Sequence, residues 1–303
     1  MIRVVVIGAG GYSGAELTGL LLGHPNTEVV GLFGSSRRGD HSQVRFDRLY
    51  PRFKGRTDLT VQATDLNEIA TLAPDAVFLA TPHEVSHNAA PTLLDEGLTV
   101  LDLSGAFRLA DQNLYPQHYG FEHEYPALLR DAVYGLPELN RDQLLDAELI
   151  AVAGCYPTSI IPAVAPLISV GAIDTQAPVI ADSISGVSGA GKSPSARSHF
   201  CEVSLEPYSV FTHRHGPEIN QHSPEPGAAT GAGRLVLEFV PGHDAPALRG
   251  REPVVGRGLR SACGKPVELR ADRFAQNGSD HRRARGEPRK SVRVGTGTGR
   301  SDR

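Results

Sequence analysis

The sequence predicts an α/β protein, in which a doubly wound, Rossmann-type domain precedes an α+β domain with a mixed sheet. Apolar runs typical of buried strands alternate with helical segments through the first half of the chain. This alternation changes after a long apolar helix that begins near Cys155. From Gly242 onward the apolar periodicity stops altogether. We therefore predict domains at 1–150 and 151–241, followed by a poorly ordered tail at 242–303.

The first half justifies this fold element by element. In chain order, the expected elements are a strand at IRVVVIG, a helix at SGAELTGLLLGHP, a strand at TEVVGLFGSS, a helix at DLNEIATLAP, a strand at DAVFLAT, a helix at SHNAAPTLLDEG, a strand at LTVLDLS and a last strand at LIAVAG. Repeated strand-helix-strand units form parallel sheets that are covered on both faces. The helix from Cys155 is expected to end near Gly171, and APVIADSISG and RLVLEFVP are expected to be strands.

The tail differs in charge from the rest of the chain. The 303 residues carry a net charge of −4, but residues 242–303 hold fifteen of the thirty Lys and Arg and only seven of the thirty-four Asp and Glu. This Gly- and Arg-rich composition buries too little apolar surface to offset its chain entropy. We hypothesise that a shift of reading frame near codon 242 produced the tail. It lacks the interleaved aromatic residues and the fold of nucleic-acid-binding modules, and we expect no nucleic-acid partner.

Composition also limits the class of protein. No apolar run is long enough to span a bilayer, and a strand begins at the second residue, so we expect a cytoplasmic protein without membrane contact. Three cysteines without framework or CxxC spacing predict free thiols rather than disulfides or a zinc site.

A glycine loop follows the first strand and opens the first helix. It consists of Gly8, Ala9, Gly10, Gly11, Tyr12, Ser13 and Gly14. Backbone amides at such a helix start can receive the pyrophosphate of a dinucleotide. An enzyme that uses NAD usually has an acidic residue after the second strand, but this strand ends in Ser35, Ser36, Arg37 and Arg38. Hydroxyls and guanidinium groups suit a 2′-phosphate, so NADP(H) is the expected cofactor.

Gly186 to Ser193 also fits the Walker A expression for a nucleoside triphosphate. Pro194 is a poor residue for the start of the long helix that should follow, and no apolar strand ending in Asp follows this segment to hold a metal ion. We interpret this segment as a glycine-rich loop near a cofactor or thioester.

Cys155 lies where a buried strand ends and a helix begins. A thiol there is exposed to the amides and positive dipole end of the helix, which favour the thiolate and predict a nucleophile. His213 and His215 lie in THRHGPE with Glu218. Alternate histidines resemble metal ligands, but no third ligand has a supporting spacing, so we expect no metal. A histidine paired with a distant reactive cysteine is better interpreted as an acid and base.

Several segments together resemble the N-acetyl-gamma-glutamyl-phosphate reductase family. These are GAGGYSGAEL, FLATPHEVSH, DLSGAFRL, HYGFEHEYPALLRDAVYGLPELNR, GCYPTS, SISGVSGAGKSPS and HRHGPEI, over residues 1 to about 222. The resemblance implies a Rossmann-type domain and an α+β catalytic domain like those of aspartate-semialdehyde dehydrogenase and glyceraldehyde-3-phosphate dehydrogenase. It also implies NADPH as the cofactor, a place in arginine biosynthesis, and a homo-oligomer, either a dimer or a tetramer.

The resemblance also assigns roles to residues. Cys155 would be the nucleophile and His215 the acid and base, oriented by Glu218, with His213 as the alternative base. Arg108 and Ser104 would bind the substrate. The residues implied for the cofactor site are Gly8, Gly10, Gly11, Tyr12, Ser13, Gly14, Ser35, Ser36, Arg37, Arg38, Thr81, Pro82, Ser188 and Gly189.

The implied reaction forms a thioester. Cys155 would attack the acyl phosphate of N-acetyl-L-glutamyl 5-phosphate, and NADPH would reduce the thioester to N-acetyl-L-glutamate 5-semialdehyde. An imidazolium and the helix start would favour the thiolate. Two alternatives stay open: an acyl-phosphate reductase of the aspartate-semialdehyde dehydrogenase type, and an inactive remnant of the family, since the tail does not resemble the family's C-terminal elements.

Overall fold

A computed structural model describes residues 1–34, 43–173, 179–196, 198–204 and 208–224, together with the backbone of residues 236–239. Three parts of the sequence-based predictions lie outside the described residues. These are the order of the tail at 242–303, the frameshift hypothesis for it, and the cofactor contacts of Ser35, Ser36, Arg37 and Arg38.

The bounds of the regular elements follow the chain. The strands are β1 (Ile2–Ile7), β2 (Thr27–Gly34), β3 (Val44–Arg45), β4 (Thr60–Ala63), β5 (Ala76–Leu79), β6 (Thr99–Asp102), β7 (Val133–Gly135), β8 (Leu149–Val152), β9 (Ile180–Ser183) and β10 (Val236–Phe239). The α-helices are α1 (Tyr12–Leu21), α2 (Phe46–Leu49), α3 (Leu66–Thr71), α4 (His83–Asp95), α5 (Tyr115–Tyr119), α6 (Pro126–Asp131), α7 (Pro137–Asn140), α8 (Cys155–Ser169) and α9 (His215–His222). Short 3-10 helices lie at Pro51–Phe53, Gln112–Leu114, Gln143–Leu145 and Val187–Ala190.

Eight strands form one sheet in the order β3-β4-β2-β1-β5-β6-β8-β7. Every pair in it is parallel except β3 with β4. The predicted doubly wound fold is therefore confirmed. The sequence-based prediction missed β3, β4 and β7, which are only two to four residues long and carry no sustained apolar run.

Helices cover both faces of this sheet, as the strand patterns predicted. Successive side chains of a strand point to opposite faces. In β1, Val4 and Val6 join the apolar cluster that contains Phe46 and Phe53. Val5 joins the cluster on the other face, which contains residues of α4 and α5. Full burial of each such side chain contributes about 1.5–3 kcal/mol, so both clusters stabilise the same strand.

The sheet order brings the predicted site segments to one edge. Strands β2 and β4 lie on one side of β1, and β5, β6 and β8 lie on the other, so the strand order reverses between β1 and β5. In open parallel sheets, ligands bind in the crevice at this reversal, beyond the carboxyl ends of the strands. The glycine loop, Thr81, Ser104 and Cys155 follow β1, β5, β6 and β8 respectively, and all lie at that edge.

Helix α8 connects the sheet to the second half of the chain. Its Tyr156, Ile160 and Ile161 belong to one apolar cluster. The cluster also contains Ile219 of α9, Tyr134 of β7 and Leu136, which directly follows β7. Strands β9 and β10 pair in parallel in a separate sheet. The strands expected at APVIADSISG and RLVLEFVP are thus present. The boundary near residue 150 stays a prediction.

Candidate active site

The glycine loop has the shape that close approach of a phosphate requires. Gly8 has a φ of +92°, and a Cβ there would collide with the carbonyl oxygen of Ala80. A Cβ on Gly14 would collide with the carbonyl oxygen of Gly8, so helix α1 packs directly on the turn. Both positions therefore require glycine. The loop is held to the sheet because the amides of Gly8 and Ala9 both donate to the carbonyl of Phe33, at 2.8 and 3.0 Å.

The remaining amides of the loop are available to a ligand. Those of Gly10, Tyr12, Ser13 and Gly14 donate no hydrogen bond to any described residue. Helix α1 begins at Tyr12 with no side-chain cap, so its dipole end is also uncompensated. A pyrophosphate supplies the acceptors and the negative charge that this end of the helix lacks. The loop therefore fits the dinucleotide that its sequence predicted.

A lysine from the second half of the chain reaches the same loop. Lys192 Nζ lies 3.4 Å from the carbonyl oxygen of Gly10 and 3.4 Å from the hydroxyl of Tyr50. The Tyr50 hydroxyl in turn donates to Gly10 and Gly11, and the ammonium lies over its ring, 4.8 Å from the centroid. The segment SGAGKS thus contacts the loop, and it places a positive charge beside the free amides. Sequence reasoning did not assign Lys192, although the segment itself was predicted to lie near the cofactor.

Thr81 and Pro82 follow β5 and border the glycine loop, since Ala80, the preceding residue, contacts Gly8. Thr81 shares a 2.7 Å hydrogen bond with Ser86. Ser188 and Gly189 lie on the 3-10 helix Val187–Ala190 and are exposed. From Gly191 to Ala196 the chain is not helical, so the long helix of a Walker A motif does not follow.

Cys155 is the first residue of α8, and it is exposed. The chain reaches it from β8 through Ala153 and Gly154. Pro157 has no amide, and the amide of Thr158 donates to the carbonyl of Gly154 at 2.9 Å. The amide of Cys155 donates to no backbone acceptor among the described residues. The thiol therefore lies at a helix start where its own amide is available to a ligand.

Two side chains lie against Gly154, the residue directly before the thiol. A Cβ on Gly154 would lie 2.7 Å from Arg108 Nη1, 2.8 Å from His215 Cε1 and 2.8 Å from His215 Nε2. Real Cβ atoms do not approach so closely. Glycine at this position therefore lets the imidazole of His215 lie against the backbone beside Cys155. The sequence showed this glycine in GCY, but no local pattern showed why it is needed.

Glu218 binds the backbone amide of Gly154. Its carboxylate accepts hydrogen bonds from the amide of Gly154 at 2.8 Å and from the hydroxyl of Tyr134 at 2.8 Å. Arg108 Nη1 lies 3.4 Å from its second oxygen, and the Glu218 side chain is fully buried. Among the described residues Glu218 makes no hydrogen bond to His215. Instead of orienting that ring directly, the carboxylate fixes the backbone next to it.

Arg108, which is expected to bind the substrate, is held by contacts within the protein. Its Nε donates to the carbonyl of Val152 at 2.8 Å, its Nη2 donates to that of Leu103 at 2.7 Å, and its Nη1 faces Glu218. The residue is only 6% exposed. These contacts join the ends of β6 and β8 to α9, and they place a positive charge beside Gly154. Contact of Arg108 with substrate stays a prediction.

Ser104 is also occupied within the protein. Its hydroxyl donates to Asp102 at 2.8 Å and accepts from the amide of Ala106 at 3.1 Å. Asp102 is fully buried, and burial raises its pKa. Ser104 therefore shapes the turn after β6, in a buried position that differs from the expected contact with substrate.

His215 is the buried member of the histidine pair. Burial, followed by the positive charge of Arg108, lowers the pKa of His215 to about 2. Its Nδ1 has no hydrogen-bond partner among the described residues. Burial also lowers the pKa of His213 to about 4. These pKa values favour neutral rings near pH 7, whereas the resemblance implied an imidazolium beside the thiol. Positive charge at this point comes from Arg108 and from Arg214, which lies between the two histidines.

The two histidines have different positions relative to Cys155. His213 Nδ1 accepts from the amide of His215 at 3.1 Å, and its ring packs edge-on against Tyr156 and Tyr208. Only His215 contacts Gly154. Among the described residues no cluster of three His, Cys, Asp or Glu side chains could hold a metal ion, and no helix is long and apolar enough to cross a membrane.

Two consecutive segments of the chain match domains of the same protein family. Residues 3–147 match the family described as semialdehyde dehydrogenase, NAD binding domain, and residues 155–252 match semialdehyde dehydrogenase, dimerisation domain. Among solved structures, aspartate semialdehyde dehydrogenase II from Vibrio cholerae has a TM-score of 0.53 and 16% identity, over 80% of this chain and 70% of its own. A probable aspartate-semialdehyde dehydrogenase from Pseudomonas aeruginosa has a TM-score of 0.52 and 18% identity over the same shares. At such identities these structures show the fold alone.

Curated relatives are more similar in sequence. N-acetyl-gamma-glutamyl-phosphate reductase from Salmonella typhi is 49% identical over 224 residues, which is 73% of this chain and 66% of the relative. The protein of that name from Tolumonas auensis is 47% identical over 224 residues, 73% of this chain and 67% of its own length. The match thus spans about two thirds of the relatives. The chain belongs to the semialdehyde dehydrogenase family and, within it, to the N-acetyl-gamma-glutamyl-phosphate reductases.

Proposed function

We propose that this chain reduces N-acetyl-L-glutamyl 5-phosphate with NADPH, giving N-acetyl-L-glutamate 5-semialdehyde and phosphate, a step of arginine biosynthesis. The observation that carries the proposal is the surroundings of Cys155. An exposed thiol lies at a helix start, beside an imidazole, at the same sheet edge as a loop that fits a dinucleotide. The names and sequences of the curated relatives support the acetylglutamyl substrate over the aspartyl one.

In the first step Cys155 attacks the acyl carbon. His215 accepts the thiol proton, because its ring lies against Gly154, next to Cys155. A bond forms between Sγ and the carbonyl carbon. The bond from that carbon to the phosphate oxygen breaks, and inorganic phosphate leaves with the bonding electrons. The product on the enzyme is a thioester.

The amide of Cys155 is placed to stabilise the oxyanion of this step. It donates to no backbone acceptor among the described residues, and it lies at the positive end of helix α8. A preorganised donor aimed at developing negative charge contributes about 2.7–4 kcal/mol in known oxyanion holes. Glu218 supports this geometry, because its hydrogen bond to the Gly154 amide fixes the backbone that precedes this donor.

Bound NADPH supplies the hydride that reduces the thioester. The protein contributes the glycine loop and Lys192 for the pyrophosphate, and Ser35 with Arg37 or Arg38 for the 2′-phosphate. Collapse of the reduced adduct returns the electron pair to Sγ and releases the aldehyde. His215 can protonate the departing sulfur, which restores the neutral thiol.

We also propose that the chain acts as a homo-oligomer in the cytoplasm. The match of residues 155–252 to a dimerisation domain supports the oligomer. The absence of a membrane-spanning helix among the described residues is compatible with this location.

The assay that tests the function runs the reaction in reverse. Purified full-length chain is given N-acetylglutamate semialdehyde, inorganic phosphate and NADP, and the formation of NADPH is followed by absorbance. Turnover should require phosphate and should disappear in Cys155→Ser, while Cys201→Ser, which alters another exposed thiol, should retain it. Aspartate semialdehyde serves as the competing substrate. No turnover with either aldehyde in the native chain would favour an inactive remnant.

A further inference from the structure

His83 is held in one tautomer by the turn after β6. Its Nδ1 accepts a hydrogen bond of 2.8 Å from the backbone amide of Gly105. Burial, followed by the positive charge of Arg214, lowers the pKa of His83 to about 4, so the ring is neutral near pH 7. A neutral imidazole has one acceptor nitrogen and one N–H. Because Nδ1 is the acceptor, Nε2 carries the hydrogen.

Arg214 places a second hydrogen-bond donor next to this N–H. Its Nη1 lies 3.0 Å from His83 Nε2. A guanidinium has only donors, so two N–H groups converge with no acceptor between them. Among the described residues Arg214 forms no ion pair with a carboxylate. A ligand that carries an anionic oxygen would satisfy both donors at once.

The donor pair lies beside the reactive thiol. Arg214 directly precedes His215, whose ring lies against Gly154 next to Cys155. His83 begins α4 just after Thr81 and Pro82, at the carboxyl edge of the sheet. Arg214 is exposed and His83 is half-buried, so a small ligand can reach the pair from solvent. Arg108, the other guanidinium here, is already bonded to two carbonyls and faces Glu218.

We infer that Arg214 and His83 form an oxyanion-binding site that holds an anionic group of the substrate while Cys155 attacks. The inference rests on the proposed function, and it names a contact that the sequence had assigned to Arg108. The substrate offers two sources of this chemistry, its phosphoryl group and its α-carboxylate. A guanidinium with an adjacent N–H suits either one, and the test separates them.

The test measures access of an anion to Cys155 without any turnover. The full-length chain is alkylated with iodoacetate, which is anionic, or with iodoacetamide, which is neutral. Peptide mapping by mass spectrometry follows Cys155, and the exposed Cys201 is the internal reference. Each reaction is run with increasing inorganic phosphate in one series and increasing N-acetylglutamate in another.

Arg214→Gln is compared with Arg130→Gln, which removes an exposed guanidinium that bonds only within its own helix. In the native chain and in R130Q, we expect iodoacetate to modify Cys155 faster than iodoacetamide does, relative to Cys201, and one of the two anions to protect Cys155. In R214Q the iodoacetate preference should fall. The anion concentration for half-protection should rise about tenfold or more, which corresponds to the loss of one charge-assisted hydrogen bond.

Two further variants test the charge of Arg214 and the donor of His83 separately. Arg214→Lys retains the charge. Its anion concentration for half-protection of Cys155 should lie between those of the native chain and R214Q. His83→Gln should weaken protection as well, because the second donor is displaced. Circular dichroism and thermal unfolding establish that each variant is folded. Protection by phosphate identifies the phosphoryl group as the ligand, and protection by N-acetylglutamate identifies the carboxylate.

The inference is overturned if R214Q retains the iodoacetate preference and the half-protection concentrations of R130Q, or if neither anion protects the native chain. Failure of the proposed function has a different signature. In that case the native chain shows no phosphate-dependent turnover, whereas anion protection and its loss in R214Q are still observed.

Discussion

The carboxylate of Glu218 accepts a 2.8 Å hydrogen bond from the backbone amide of Gly154, the residue before Cys155. Glu218 lies on α9 and Gly154 at the start of α8, 64 residues apart in sequence. The same carboxylate accepts from Tyr134 and faces Arg108, which binds the ends of β6 and β8. One buried acid therefore fixes the position of the reactive thiol relative to the sheet.

Glu218→Gln should destabilise the fold and slow the reaction. The amide NH2 of glutamine would face the guanidinium of Arg108, so two donors would be buried together. Removing one partner of a buried ion pair costs about 3–5 kcal/mol. Urea unfolding followed by circular dichroism should show a loss of about 3 kcal/mol or more. Glu122→Gln, at an exposed position without an ion pair, is the control and should unfold like the native chain. Equal stability of the two variants would contradict the role of Glu218.

Gly154→Ala should affect the reaction more than the fold. The new Cβ would lie 2.7 Å from Arg108 Nη1 and 2.8 Å from His215 Nε2, so the imidazole must move. A displacement of about 1 Å in an active site can cost about 100-fold in rate. We expect kcat to fall by about that factor. Gly216→Ala, on α9 with nothing near its Cβ, should retain activity. A normal kcat in G154A would show that contact between His215 and Gly154 is not needed.

Acid should destabilise this protein below about pH 6.5, the ordinary pKa of histidine. Burial lowers the pKa of His123 to about 4, and that of His215 to about 2. The unfolded chain therefore binds more protons between these values and 6.5, and stability is lost as the pH falls through that window. Each such histidine contributes up to about 1.4 kcal/mol per pH unit. The free energy of unfolding, measured by urea titration from pH 7 to pH 4.5, should decrease steadily.

His123→Gln tests the origin of this slope. The ring of His123 shares a 2.9 Å hydrogen bond with the carbonyl of Ala106 and accepts from the amide of Tyr125. A glutamine side chain can supply both a donor and an acceptor, but it does not titrate. The variant should unfold with a slope against pH that is shallower by about 1 kcal/mol per pH unit. His24→Gln, at an exposed position, should leave the slope unchanged. If the free energy of unfolding of H123Q kept the pH slope of the native chain, the acid sensitivity would arise from other groups.

Lys192→Met should weaken binding of NADPH without disturbing the fold. The ammonium lies 3.4 Å from the Gly10 carbonyl, beside amides that fit a pyrophosphate. Loss of an exposed charge contact costs up to about 1 kcal/mol, or about fivefold in affinity. The chain has no tryptophan, so the fluorescence of NADPH itself reports binding. Lys54→Met is the matched control. An unchanged Kd in K192M would show that Lys192 contacts only the protein.

The fold and the nucleophile could be predicted because their signals are local. Apolar runs predicted β1, β2, β5, β6 and β8, and the glycine loop and Cys155 are each defined by a few consecutive residues. The short strands β4 and β7 carry too few apolar residues for such a signal. Their positions are set by pairing with β2 and β8 in the folded sheet.

The electrostatics of the site could not be predicted, because they depend on contacts between distant residues. The bond from Arg108 toward Glu218 spans 110 residues, and the approach of Arg214 to His83 spans 131. Sequence alone presented Arg108 as the available guanidinium and suggested an imidazolium beside the thiol. In the folded chain Arg108 donates to two carbonyls, and burial lowers the pKa of His215 to about 2.

Formation of a thioester between Cys155 and the substrate can be measured in the absence of NADPH. The native chain is mixed with N-acetyl-L-glutamyl 5-phosphate and quenched in acid, and the released phosphate and peptide masses are measured. We expect a burst of one phosphate per chain and an N-acetylglutamyl group on the peptide that contains Cys155, both absent in Cys155→Ser. An acyl group on another residue, or a burst that persists in Cys155→Ser, would contradict it.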